Sequence, residues 1–226
     1  VTCMSVVLSQ YAKLLVHYCL RLKAHDSLLV RTTPLAAPLL KPLYQQILRV
    51  GARPEFQLTF EHQQKIFYEN ATSDGLTQVS PFYKQAVEKF DSILTIDAPY
   101  HCTDLQHIEP PKRTSVQKAH APIKQLFMSR SASKNLKWAL CVYPTEALAK
   151  AAHMSLPDFE QFVFDACFLM ESDPISAWEK LGETQANIVS FLNYKRHFQH
   201  THRIYNLTVI VLMHVHHFLI LFQFHS

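Results

Sequence analysis

Glycine is scarce in this chain, which has only Gly51, Gly75 and Gly182 among its 226 residues. That is about 1.3% of the residues, against a usual level near 7%. Dinucleotide-binding loops, phosphate-binding loops and the nucleophile elbow of serine hydrolases all need clustered glycines, because their backbone turns sharply or approaches a ligand closely. The three glycines lie far apart, so the sequence lacks the motifs that would indicate a nucleotide-dependent enzyme or a serine hydrolase.

Acidic residues are absent from the last part of the chain, residues 195–226. That segment carries three of the 22 basic side chains, seven of the 14 histidines and none of the 18 acidic side chains. The net charge of +4 therefore comes mainly from this segment, and residues 1–194 are almost balanced. Since no broad basic face is indicated, we expect no nucleic-acid partner.

Cysteines are few and unpaired. The five of them are odd in number and widely separated, with no C-x-x-C motif, at Cys3, Cys19, Cys102, Cys141 and Cys167. This distribution favours a reducing compartment over a disulfide framework or a zinc site. The N-terminus also lacks the basic region that begins a signal peptide. We therefore expect a cytoplasmic protein.

Short apolar runs alternate with helical patterns along residues 1–194. Strands are predicted at 28–30, 56–60, 93–96 and 138–142, and helices at 11–23, 36–50, 82–90, 115–130, 159–170 and 175–192. Strands separated by helices are typical of right-handed crossover units around a mostly parallel sheet. The sequence thus predicts one α/β domain over 1–194, with about four or more strands flanked by helices.

Local signals mark several helix ends. Gly51 suits the left-handed position after the second helix, and Pro42 should kink that helix or delay its start. Ser80 before Pro81 is typical of an N-cap followed by a first-turn proline. Ser155 with an acidic residue three positions later resembles a capping box.

Residues 195–226 form an apolar, histidine-rich tail with no alanine, glycine, proline or acid. Its two β-prone runs, 207–213 and 218–224, have no turn residues between them that would fold one onto the other. His214, His216 and His217 are weak metal candidates, because no carboxylate lies near them to orient the imidazoles. The apolar stretch is near the lower length limit for a membrane span, and its polar residues lead us to expect no membrane association.

Other possible catalytic or metal-binding residues are only weakly indicated by the sequence. The acid–histidine neighbours Glu61-His62 and Asp104 with His107 are typical of solvated helix ends and loops. Cys102 or Cys141 with a histidine would suggest thiol catalysis, but a lone cysteine near a strand is more often a small core residue. None of these groupings predicts a catalytic residue.

The order and spacing of short motifs over about residues 11–193 resemble the thermophilic metalloaminopeptidase family (aminopeptidases T, S and II). The matching motifs are Leu28-Leu29-Val30, Gly51-Ala52-Arg53-Pro54, Leu136-Lys137-Trp138-Ala139-Leu140, Tyr143-Pro144-Thr145, Phe159-Glu160-Gln161-Phe162-Val163, and Asp173-Pro174 with Trp178. Two positions depart from the family pattern, namely His25 and the run His101-Cys102-Thr103.

The resemblance implies a two-metal enzyme that removes N-terminal amino acids from peptides, using cobalt, zinc or magnesium, with a homodimer as one possible assembly. In that family this region is the N-terminal domain, and the metal ligands belong to a C-terminal domain. None of those ligands can be placed on this chain, so we expect it to be catalytically incomplete and to bind no metal specifically. A truncated or frame-shifted gene would account for the tail.

In open α/β sheets, ligands bind beyond the carboxyl ends of the strands. The residues there that we predict to form a cleft wall facing the missing domain are Thr33, Pro99, Tyr100, Tyr143 and Thr145. The alternative is that they are turn and capping residues.

Two other functions remain open, namely a non-catalytic interaction module and a tail-anchored membrane protein.

Overall fold

Residues 2–193, 207–210 and 221–224 are described by a computed structural model of the chain. The first five main elements are α1 (Thr2–Lys13, continued by a π-helix at Leu14–Cys19), β1 (Ser27–Thr32), α2 (Ala37–Arg49), β2 (Arg53–Leu58) and α3 (Gln63–Asn70). The others are α4 (Ser73–Leu76), α5 (Pro81–Lys89), β3 (Ser92–Asp97), α6 (Pro110–Ala132), β4 (Lys137–Val142), α7 (Glu146–Ala151), α8 (Leu156–Ala166), α9 (Pro174–Asn193), β5 (Leu207–Ile210) and β6 (Leu221–Phe224).

Strands β1 to β4 form one parallel sheet in the order β2-β1-β3-β4. The first crossover moves from β1 to β2, and the second returns past β1 to β3 on its other side. The strand order therefore reverses between β1 and β3, which makes this point the topological switch of the sheet. The predicted α/β class and mostly parallel sheet are confirmed.

The sheet separates two hydrophobic cores because successive side chains of a strand point to opposite faces. Leu28, Val30 and Leu94 face a large core with side chains from α1, α2, α8 and α9. Leu29 and Ile93 face a smaller core beneath α5 and α6. Strands buried on both faces explain why these runs are continuously apolar rather than alternating.

The first helix differs from its predicted span of 11–23. It begins at Thr2, and its last part winds as a π-helix, with the Leu20 N–H donating to the Leu15 carbonyl at 3.0 Å. Three consecutive residues of this part, Leu14, Leu15 and Val16, are buried. Apolar residues at helical spacing do not distinguish an α-helical turn from a π-helical one, so the sequence pattern did not reveal this segment.

The predicted helix ends are largely as observed. Gly51 has φ +76° after α2, and a Cβ there would lie 3.4 Å from the Ala24 Cβ. Ser80 and Ser155 cap α5 and α8 through their side-chain oxygens. The expected delay at Pro42 is wrong, because α2 already begins at Ala37 and continues through that proline.

The second predicted strand is displaced. The strand is Arg53–Leu58, whereas 56–60 was predicted, and Phe60 lies beyond its end. Leu58 and Phe60 are 48% and 58% exposed, whereas Phe56 is half-buried against the large core, so the described residues bury only part of the expected apolar face.

The tail contributes β5 and β6, which pair antiparallel with Leu207 opposite Phe224. The expectation that the two runs would not fold onto each other is therefore wrong. His214, His216 and His217 lie outside the described residues. Within the described part of the chain, no helix combines the length and apolar character needed to cross a membrane.

A carboxylate links the beginnings of the two central strands. The Ser27 N–H and Oγ–H donate to Asp91 Oδ2 at 2.8 and 2.7 Å, and the Asp91 N–H donates back to Ser27 Oγ at 3.1 Å. The backbone hydrogen bond from Ser27 is the main reason why the pKa of Asp91 lies below its usual value. The bonds to the ionised carboxylate therefore favour the folded state.

We expect Asp91→Ala to lower the free energy of unfolding at pH 7 by about 1–3 kcal/mol, because the Ser27 N–H loses its acceptor. A lowered folded pKa stabilises above the unfolded pKa near 4, and this contribution disappears as pH falls through the folded value. Urea denaturation at pH 7 and at low pH would measure the difference, which should shrink in acid. Asp74→Ala, at an exposed carboxylate of α4, is the control. An equal loss at both pH values would contradict the expectation.

Candidate functional site

An open cleft of about 510 Å³ lies at the carboxyl ends of β1 and β3, where the strand order reverses. Its floor comes from the ends of these strands, including Thr32 and Asp97. One side is formed by the loop after β2, with Thr59 and Phe60, and the other by residues 98–106 after β3. Ligands in open α/β sheets bind at this position, so the cleft is the candidate functional site.

Two threonines join the strand ends below the cleft. Thr32, which is buried, donates its hydroxyl to the Ile96 carbonyl at 2.9 Å. The next residue, Thr33, donates to the Ala98 carbonyl at 2.5 Å and also accepts from the Leu35 N–H. These bonds join the carboxyl ends of β1 and β3 at the point where the two crossovers leave the sheet in opposite directions.

The structure divides the five predicted cleft-wall residues into two groups. Thr33, Pro99 and Tyr100 line the cleft. Tyr143 and Thr145 lie beside it: the Tyr143 N–H donates to the Asp97 carbonyl at 2.9 Å, and Thr145 accepts from the Leu148 N–H as the N-cap of α7. Thr145 thus has the capping geometry that was the alternative for this residue.

Asp97 is the acidic residue on the cleft floor. Desolvation by the surrounding walls raises the pKa of its carboxyl above the usual value. Its side chain is nevertheless open to solvent within the cleft.

A cluster of histidines and carboxylates lies at the mouth of the cleft. Glu61 Oε1 is 2.8 Å from His101 Nε2 and 3.9 Å from His62 Nε2. The second nitrogen of His62, Nδ1, is 2.9 Å from Asp104 Oδ2. The two imidazole rings stack with centroids 4.6 Å apart and an interplanar angle of 3°. We call these four residues, Glu61, His62, His101 and Asp104, the mouth cluster.

The sequence did not predict the mouth cluster. His101 is 40 residues from Glu61, and Asp104 is 42 residues from His62. Sequence motifs for metal sites usually place their ligands a few residues apart. A signal was nevertheless available in the sequence. Glu61 and His62 follow one strand of the parallel sheet, His101 and Asp104 follow another, and the carboxyl ends of such strands meet at one edge.

The four cysteines whose side chains the structure describes lack the properties of catalytic nucleophiles. Desolvation raises the pKa of Cys19 to about 12 and that of Cys167 to about 11, and it also raises the pKa of Cys141. Cys102 lies in the cleft, but burial and the nearby Asp97 raise the pKa of its thiol too. Since the thiolate is the reactive form, these environments oppose thiol catalysis.

The α/β domain and its cleft belong to a peptidase family. Residues 5–218 match the family model described as thermophilic metalloprotease (M29), and the chain belongs to that family. The expected family membership is confirmed. The matched range ends within the tail, beyond the boundary at residue 194 that composition suggested.

Two known proteins illustrate the relationship. Aminopeptidase 2 of Geobacillus stearothermophilus is 25% identical over 203 residues, which cover 85% of this chain and 49% of the relative. The solved structure of wild-type AmpT from Thermus thermophilus has a TM-score of 0.67 at 18% identity, and the match covers 84% of this chain and 49% of that one. The chain therefore spans about half the length of each of these two proteins.

Membership of a metalloprotease family implies divalent metal ions. A two-metal hydrolytic site has ions about 3.5–4 Å apart, and several carboxylates and imidazoles must surround them. Within the described ranges, one group of three possible ligands converges, Glu61, His62 and His101, with all ligand atoms within 4.8 Å of one another. Three ligands around one point do not fit a pair of ions.

Proposed function

We propose that residues 1–194 are the N-terminal, non-catalytic domain of a metalloaminopeptidase and that the hydrolytic metals are held by a domain outside this chain. The observation that carries the proposal is the match to the metalloprotease family over 5–218, combined with a described ligand set that does not fit two metals. The half-length coverage of aminopeptidase 2 is consistent with such a division. In the complete protein the substrates would be peptides with a free N-terminus.

The cleft is the face that we assign to contact with the catalytic domain. Phe60 lines it and is 58% exposed, and Leu58 at the end of the adjoining strand is 48% exposed. Exposed apolar side chains beside a polar cleft are typical of surfaces that another domain covers. The charged lining, which includes Arg31, Asp97 and Arg113, would orient polar groups of that domain or of the peptide.

The tail, residues 195–226, is proposed to be a segment separate from the domain. Its lack of acidic residues supports this division. The family match continues to residue 218, beyond this boundary.

The test is an aminopeptidase assay on the purified chain. We expect no hydrolysis of leucine p-nitroanilide, with or without added cobalt, zinc or magnesium, because the described residues provide no site for two ions. A full-length aminopeptidase of the same family, assayed in parallel, would show that the conditions support turnover. Metal-dependent hydrolysis that co-elutes with the pure chain would contradict the proposal.

A further inference from the structure

We propose that Glu61, His62 and His101 bind a single divalent cation of the zinc, cobalt or nickel type at the mouth of the cleft. Imidazole nitrogens together with one carboxylate oxygen are a donor set that suits these borderline metals. The proposal does not depend on the assignment of the hydrolytic metals to another domain. It departs from the expectation that the chain binds no metal specifically.

The distances favour coordination of one ion. Four-coordinate zinc with bonds of about 2.0–2.1 Å holds neighbouring ligand atoms roughly 3.3 Å apart. The Glu61 oxygen lies at 2.8 Å from one Nε2 and at 3.9 Å from the other, so the two distances bracket this value. All three ligand atoms lie within 4.8 Å of one another, and a rotation of His101 out of its stack on His62 would point both Nε2 atoms at one ion.

Asp104 orients His62, one of the proposed metal ligands. Its Oδ2 lies 2.9 Å from Nδ1 of His62, so that nitrogen donates to the carboxylate in the neutral imidazole. The other nitrogen, Nε2, is then the unprotonated one and faces Glu61. Metal-binding histidines nearly always have such a partner, which fixes the ring and its tautomer. The stacked arrangement of the two rings belongs to the metal-free site, and the His101 ring would leave the stack when both imidazoles bind one ion.

Solvent access leaves room for a further ligand. The side chains of Glu61, His62 and His101 are 52%, 41% and 41% exposed. Three protein ligands and one water are the usual coordination of an open zinc site. Without an ion, the same side chains would form only exposed ion pairs, which contribute little to stability.

The ion would connect the two sides of the cleft. Glu61 and His62 lie between β2 and α3, whereas His101 and Asp104 lie between β3 and α6. Binding to the folded state alone would raise the melting temperature, by roughly 5–10 °C at an ion concentration of 100 times Kd. The site would thus couple metal availability to the geometry of the cleft mouth.

Zinc titration of the full chain by isothermal calorimetry, after removal of metals with a chelator, tests the proposal. We expect a site of stoichiometry near one that is at least tenfold weaker in His62→Asn and in His101→Asn. Asp104→Asn should weaken it 10–100-fold, as loss of a histidine's orienting partner does. His107→Asn is the matched control, because this exposed histidine lies in the same loop outside the mouth cluster. It should bind as the unsubstituted chain does.

The tail histidines require their own control. The triple variant His214→Asn, His216→Asn, His217→Asn should retain the site, and cobalt added to it should give the visible absorption of a low-coordinate ion that His101→Asn abolishes. Melting curves recorded without metal would establish that each variant is folded. Unchanged zinc affinity in folded His62→Asn and His101→Asn, or loss of binding in the tail variant alone, would overturn the proposal.

Discussion

Replacing Leu94 by alanine is expected to lower the free energy of unfolding by about 2–5 kcal/mol, one of the two largest effects that we predict for this chain. Leu94 is fully buried at the centre of β3, paired with Val30 of β1 and Ala139 of β4. The surrounding strands cannot collapse into the cavity, because their hydrogen bonds fix them on both sides. For a domain of about 200 residues, the melting temperature should fall by roughly 5–15 °C.

Leu58→Ala is the matched control, since Leu58 is a strand leucine of the same sheet but is 48% exposed. It should change the free energy of unfolding by less than about 1 kcal/mol, as surface substitutions generally do. Urea denaturation followed by far-ultraviolet circular dichroism would measure both variants. Equal effects of the two substitutions would show that β3 is not at the centre of the folding unit.

The sheet could be predicted because its signals are local. Runs such as Leu28 to Val30 are buried on both faces, so they are apolar throughout, and the helices between them enforce parallel pairing. Helix ends with specific chemistry, such as Gly51 and Ser155, were also predicted. The π-helical end of α1 was not, since apolar residues at helical spacing fit an α-helix and a π-helix alike.

The site could be predicted only in part. The general rule for open sheets placed a cleft at the ends of β1 and β3, and Thr33, Pro99 and Tyr100 do line one there. The mouth cluster joins loops that are about 40 residues apart. Which side chains meet across such a distance depends on strand order, and the sequence alone does not give the order β2-β1-β3-β4.

The family relationship and the site carry different kinds of information. Motif spacing over residues 11–193 indicated the family, which the match over 5–218 confirms. Fold and family do not by themselves assign chemistry to a particular chain, because activity depends on the residues of the site. Here one three-ligand group converges within the described ranges, and family membership does not by itself assign a peptidase activity to this chain.

Trp178→Ala is the second change with a large expected effect, about 3–5 kcal/mol of the free energy of unfolding. Trp178 is 7% exposed near the start of α9. Its indole N–H donates to the Cys167 carbonyl at 3.0 Å, and its ring meets Phe168 edge to face at 5.6 Å. Its own carbonyl accepts from the Tyr18 hydroxyl at 3.2 Å, which joins α9 to the π-helix.

Two further variants separate the reasons for the Trp178 effect. Trp178→Phe keeps much of the aromatic packing but removes the donor to Cys167, so it should cost only about 1–3 kcal/mol. Ile188→Ala changes a 50% exposed residue on the same helix and should have little effect. Circular dichroism should monitor the denaturation, because tryptophan fluorescence is itself altered. If Trp178→Ala were no more destabilising than Ile188→Ala, the start of α9 would not be docked on the domain as the structure shows.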